Sequence, residues 1–222
     1  MLSITDDQSA FFEENGYILL KQAVSKDCAD AASRAIWNEL NMDAHRPDTW
    51  AGVAAFHVTS HPDVRLCVAA DLSQVVDKLS GEANPGWSPP NQCLLVNTFP
   101  SEGPWRPNPP HIDHALAADN FDVFPRPMRL ATLIYLGNVT EHAGGTVVWP
   151  GSHKQIQRLY DSDPIKYKKM AVLNRSIRER PLGEPIEVLA DAGDVLLYHY
   201  LTAHAGSANT SAIPRFAIAY KW

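Results

Sequence analysis

Ala192-Gly193-Asp194-Val195-Leu196-Leu197-Tyr198 carries the pattern that repeats through the last two-thirds of the chain: a turn signal, then a short apolar run. Gly193-Asp194 breaks the backbone, and the aliphatic and aromatic residues that follow suit a buried strand. The same unit recurs at Cys93-Leu94-Leu95-Val96, Leu130 to Leu136, Thr146-Val147-Val148-Trp149, Ile186-Glu187-Val188-Leu189 and Phe216 to Tyr220. Ala143-Gly144-Gly145 and Pro150-Gly151-Ser152 supply further turns.

The first third has a different period. Thr5-Asp6-Asp7-Gln8 has the form of a capping box, and the helix it opens stops at Asn15-Gly16. Tyr17 to Lys21 suits a strand. Cys28, Ala31, Ala32, Ala35, Ile36 and Leu40 fall at helical spacing within Lys26 to Leu40, and a second helical stretch runs from about Pro62 to Leu79. Helices first and many short strands afterwards predict a mainly β sandwich or barrel with a helical buttress. No repeat or linker divides the 222 residues, so one domain is expected, helical over about 1–85 and β over about 90–222.

Composition narrows the function. The formal net charge of −6 and pI near 5.8 argue against a nucleic-acid partner. Three dispersed cysteines, Cys28, Cys67 and Cys93, fit free thiols in a reducing compartment. The N-terminus lacks a basic-then-apolar leader pattern, and no apolar run is long enough to cross a membrane. A cytoplasmic enzyme acting on a small molecule is the expectation.

Pro109-Pro110-His111-Ile112-Asp113 holds the first candidate for chemistry. In an extended segment residues i and i+2 share a face, so the His111 imidazole and Asp113 carboxylate converge. A histidine simply hydrogen-bonded in a loop is the alternative. His61-Pro62-Asp63 has the same spacing, yet Pro62 fits a first helical position and Asp63 suits the helix dipole. His114 would point the other way, toward a substrate or a supporting contact. His204 stands where the strand from Asp194 gives way to a turn, and Arg215 opens the next strand 215 − 204 = 11 residues on. Two imidazoles and a carboxylate are the ligands of a facial non-haem Fe(II) site. An inward arginine is costly unless an anion neutralises it, and a bidentate carboxylate would do so. A rim arginine paired with a surface carboxylate is the alternative for Arg215.

With these residues in place the sequence resembles the phytanoyl-CoA dioxygenase family of Fe(II)/2-oxoglutarate oxygenases. Glu14-Asn15-Gly16-Tyr17 after the opening helix resembles the family's N-terminal signature. Gly144-Gly145-Thr146-Val147-Val148-Trp149-Pro150-Gly151-Ser152-His153 resembles its Pro-Gly-Ser-His strand and turn. Pro150-Gly151 also makes sense as a turn, and Ser152-His153-Lys154-Gln155 as a capping box opening a short helix, which makes His153 structural.

The resemblance implies a double-stranded β-helix (jelly-roll, cupin-like) core and Fe(II) held by His111, Asp113 and His204. It implies 2-oxoglutarate anchored on Arg215, and reaction with O2 that releases succinate and CO2 while hydroxylating an unactivated C–H. Related halogenases have a small residue where this chain has Asp113, which favours hydroxylation. Asn97 resembles a position that touches the oxoglutarate. Some members have hydroxyl residues where this chain has Ala217 and Gly206, leaving Ser207 or Thr132 to substitute. Trp105, Arg106, Phe121, Phe124, Arg126 and Trp149 either border the mouth of the barrel, suiting a small acidic substrate or natural-product intermediate, or pack the proline-rich loop. A cupin-type metal enzyme without oxoglutarate, or a non-catalytic sensor, is the competing expectation.

Overall fold

The computed structural model describes residues 2–69, 71–81, 88–113 and 130–222. A six-stranded antiparallel sheet runs, in spatial order, through Tyr17–Leu20 (β1), Val195–His199 (β7), Leu130–Tyr135 (β4), Arg215–Lys221 (β9), Cys93–Thr98 (β3) and Phe56–Thr59 (β2). A second sheet has the order Ile186–Glu187 (β6), Val147–Val148 (β5) and His204–Ala205 (β8). Among the described residues the α-helices before β3 are Asp6–Asn15 (α1), Lys26–Glu39 (α2), Pro62–Val68 (α3) and Ser73–Ser80 (α4). Three more follow β5: Ser152–Ser162 (α5), Pro164–Tyr167 (α6) and Met170–Arg178 (α7).

Side-chain alternation divides the interior into layers. Ile36, Val64, Cys67 and Val76 from the first helices pack with Leu95, Ile134, Leu197 and Ile218 on one face of the large sheet. Leu133, Tyr135, Leu196, Tyr198 and Ala217, on its other face, meet Val148 of the small sheet. Val147 and Ala205 turn outward beneath Ile156, Leu173 and Ile177 of α5 and α7. The result is a jelly-roll core of two sheets with helices on both outer faces, the mainly β, helix-buttressed architecture expected above.

Three local expectations are corrected. The stretch from Pro62 to Leu79 is two helices, α3 ending at Val68 and α4 starting at Ser73, whose N–H donates to Asp71 Oδ1 at 3.3 Å in a local turn. Ser152 is the first residue of α5 rather than its cap; Gly151 precedes it at φ 73°, and the Ser152 hydroxyl accepts from Ala203 N–H at 2.9 Å. His204 lies on its own strand, β8, in the sheet opposite the strand that leads to it. Pro62 takes the first position of α3, as expected, and His61 caps the helix, its Nδ1 accepting from Asp63 N–H at 3.3 Å.

The two motifs that flank the chemistry lock together. Gly151 N–H donates to the Asn15 carbonyl at 2.9 Å, and Thr202 Oγ1 donates to the Gly16 carbonyl at 2.7 Å. His153 Nε2 approaches the Glu13 carbonyl at 3.2 Å. Gly16 ends α1 at φ 78°, and a Cβ there would sit 2.4 Å from His153 Nδ1 and 2.5 Å from Thr202 Oγ1. Left-handed strain and the two clashes together should cost about 3 kcal/mol. Gly16→Ala is therefore expected to lower Tm by roughly 6–12 °C. A scanning-calorimetry shift of under about a degree would show that the junction yields instead.

Candidate metal centre

His111 reaches His204 across 204 − 111 = 93 residues because residues 106–111 run antiparallel beside β8. His111 N–H donates to the His204 carbonyl at 3.0 Å, and His204 N–H returns the bond at 2.9 Å. A directly opposed pair puts both side chains on one face, and the two rings lie 4.5 Å apart between centroids. Asp113, two residues beyond His111, completes the group: one ligand atom from each of His111, Asp113 and His204 falls within 4.8 Å of the others. Asp113 Oδ1 is 3.5 Å from His204 Nε2.

The protonation of this cluster suits a cation. His204 Nδ1 lies 2.9 Å from the Thr202 carbonyl, which can only accept, so Nδ1 carries the proton and Nε2 offers its lone pair. Burial, reinforced by His204, pushes His111 down to about 4, so its ring is neutral near pH 7 and available as a ligand. Burial would raise the Asp113 carboxyl, but His204, Lys221 and His111 outweigh it and hold the group well below the usual carboxylate range.

A line of inward groups runs from this cluster into the core. Tyr198 and Lys221 flank Ala131 on one rung of the large sheet, through the pairs Ala131↔Tyr198 and Ala131↔Lys221. Tyr198 Oη donates to Asp113 Oδ2 at 3.5 Å, and Lys221 Nζ lies 3.4 Å from the same oxygen. Burial and the Asp113 charge push the Tyr198 phenol well above its ordinary pKa, with Tyr135 adding to the effect. Tyr135 in turn feels Arg215.

Arg215 is 5% exposed. Its Nε donates to the Gly144 carbonyl and its Nη1 to the Val96 carbonyl, both at 3.0 Å. Among the described residues no carboxylate pairs with it. The Tyr135 hydroxyl beside it is fully buried, next to Thr146. A buried cation with no carboxylate partner among the described residues is suited to an anion. Gly144 belongs to this site: at φ 74°, with Thr98 Cγ2 2.7 Å from where a Cβ would be, it turns its carbonyl toward the guanidinium.

Other expected contacts lie elsewhere. Asn97 shares the helix-side face of β3 with Cys93 and Leu95, and its Nδ2 donates to the Ala54 carbonyl at 3.3 Å. Thr132 likewise turns away from Leu133 and Tyr135, accepting from Trp222 Nε1 at 2.8 Å. The Ser207 hydroxyl donates to the Gly145 carbonyl at 2.8 Å. Trp149 packs with Ile156 and Leu159 under α5, and Trp105 stacks on His142 at 4.8 Å. His114, Phe121, Phe124 and Arg126 lie outside the described residues. The sequence reading missed Tyr135, Tyr198 and Lys221. Lys221 had a signal: it stands an even number of residues from Arg215 on one strand, hence on the same face.

Comparison with known proteins places this geometry in context. The family described as Phytanoyl-CoA dioxygenase (PhyH) matches residues 12–217. No curated protein matches the sequence significantly. Solved structures share the fold at low identity. EctD from S. alaskensis with bound Fe is 20% identical, with 97% of this chain and 75% of that one covered at a TM-score of 0.62. The same protein with 2-oxoglutarate and 5-hydroxyectoine is 19% identical, covering 97% and 74% at 0.60. The epimerase SnoN in complex with Fe3+, alpha ketoglutarate and nogalamycin RO is 16% identical, covering 96% and 81% at 0.63.

Proposed function

The chain belongs to the phytanoyl-CoA dioxygenase family, and from that premise we propose that it is an Fe(II)- and 2-oxoglutarate-dependent dioxygenase. It hydroxylates an unactivated C–H of a small carboxylate-bearing or natural-product substrate. One observation carries the proposal: three convergent ligand groups lie on the same barrel interior as a buried arginine with no carboxylate partner among the described residues. The fold supports it, since neighbours of similar architecture were crystallised with Fe and 2-oxoglutarate. Residues 1–222 act as one oxygenase domain, its helical part and core sharing a continuous hydrophobic cluster. The net charge of −6 favours a small molecule over nucleic acid, and among the described residues no helix is long and apolar enough to cross a membrane.

His111 Nε2 or Nδ1, His204 Nε2 and an Asp113 oxygen would hold the iron, leaving open positions for the co-substrates. Bound together, iron and oxoglutarate supply the oxidative decarboxylation and C–H oxidation. The chain supplies position and charge. Arg215 takes the distal carboxylate of the oxoglutarate through its remaining N–H groups, with the Tyr135 hydroxyl as a further donor. Tyr198 and Lys221 hold Asp113 Oδ2, so the other oxygen stays directed at the histidines. Leu133, Leu196 and Ala219 line the space between and keep it apolar.

Adding Fe(II) and 2-oxoglutarate without oxygen should produce the weak visible charge-transfer band of the chelate. Admitting oxygen should release succinate slowly even without the prime substrate. Absence of both band and succinate, with metal demonstrably bound, would remove the proposal.

A further inference from the structure

We infer that Asn174 is a positioning residue for the metal centre, holding the peptide between His111 and Asp113 so that the two ligands converge. This rests on the reading of His111, Asp113 and His204 as metal ligands. Among the described residues the extended segment carrying His111 pairs on one side alone, with β8. In antiparallel pairing the His111 N–H and C=O point to that neighbour, so those of Ile112 point the opposite way, where among the described residues the small sheet has no further strand. Asn174 of α7 fills that place. Its Oδ1 accepts from Ile112 N–H at 2.8 Å, and its Nδ2 donates to the Ile112 carbonyl at 3.1 Å. One side-chain amide reproduces both bonds that a flanking strand would make.

The surroundings make this a fixed support. Ile112 is fully buried and Asn174 is 4% exposed, with Leu173 and Ile177 packed around Ile112. One turn further along α7, Arg178 Nε donates to the Pro110 carbonyl at 3.3 Å. The helix therefore grips the backbone on both sides of His111. Consecutive side chains alternate in an extended strand, so fixing Ile112 toward α7 directs His111 and Asp113 to the opposite, inner face. Without the clamp the two buried backbone groups of Ile112 have nothing to satisfy them in the apolar layer. The segment gains by turning them elsewhere, and Asp113 turns with them.

Titration of the anaerobic protein with Co(II), whose d–d absorption reports ligand geometry, tests this. Asn174→Leu should weaken Co(II) binding about 10- to 100-fold and change the band shape. Asn174→Asp still accepts from Ile112 N–H but cannot donate to its carbonyl, so it should lose less affinity. It also carries the test if the leucine variant fails to fold. Leu159→Ala, which thins the same apolar layer from α5 without touching the α7 clamp, should lower Tm and leave Co(II) affinity and spectrum unchanged. Unaltered Co(II) affinity and spectrum in folded Asn174→Leu or Asn174→Asp would overturn the positioning role alone. Wild-type protein that binds no Co(II), or binds it equally after His204→Ala, would overturn the metal reading itself and this role with it.

Discussion

Asp113→Ala is expected to reduce oxoglutarate-dependent turnover by more than about a thousandfold, over ~4 kcal/mol of barrier. The carboxylate is the sole anionic ligand in the cluster, set 3.5 Å from His204 Nε2 and 3.4 Å from Lys221 Nζ. Its removal takes away the ligand charge and leaves two imidazoles beside an ammonium, an arrangement that repels a divalent cation. Fe(II) affinity should therefore fall together with succinate release. Stability at neutral pH should also fall, because a carboxyl held below its ordinary range by His204, Lys221 and His111 contributes stability while ionised. Iron titration and succinate assays on the folded variant check this. Retention of a tenth or more of wild-type turnover would place the metal, or the chemistry, elsewhere.

Arg215→Met should act on the co-substrate and leave the iron site alone. The guanidinium is buried, holds two backbone carbonyls at 3.0 Å, and lies by the buried Tyr135 hydroxyl. Breaking a buried ion pair costs about 3–5 kcal/mol, so oxoglutarate affinity should weaken by roughly a hundred- to several-thousandfold. Fe(II) affinity should stay near wild type, because Arg215 touches none of the three ligands. Arg215→Lys should recover only part of the loss, since an ammonium cannot match a carboxylate with a planar fork. Titrating oxoglutarate into the Fe(II)-loaded variants and following the charge-transfer band gives the numbers directly. An unchanged affinity would make the anchor assignment wrong.

The elements most legible in the sequence were those decided by local chemistry. The Thr5 capping box is present in both bonds, Gln8 N–H to Thr5 Oγ1 at 3.1 Å and Thr5 N–H to Gln8 Oε1 at 2.9 Å, because four consecutive residues suffice to make it. The strand at 130–135 was equally plain. Which way its residues face was not. All six residues of β4 are buried, because helices cover one face of the large sheet and the small sheet covers the other. A doubly covered strand loses the apolar–polar alternation that would mark its inner face. Asn97 and Thr132, which the family resemblance offers to the oxoglutarate, face the helices. Tyr135 and Tyr198, which do face inward, passed as ordinary core residues.

By itself the sequence determined the turn-and-strand rhythm, the helical buttress and the residue types that can hold a cation. These depend on neighbours within a few positions, where period and capping act. Tertiary structure alone decided that His111 opposes His204, that Arg215 is buried without a carboxylate partner among the described residues, and that an asparagine from α7 supplies the missing edge for Ile112. Each is a pairing between segments tens of residues apart. Hydrogen bonds and burial select it only once the two sheets have closed on each other.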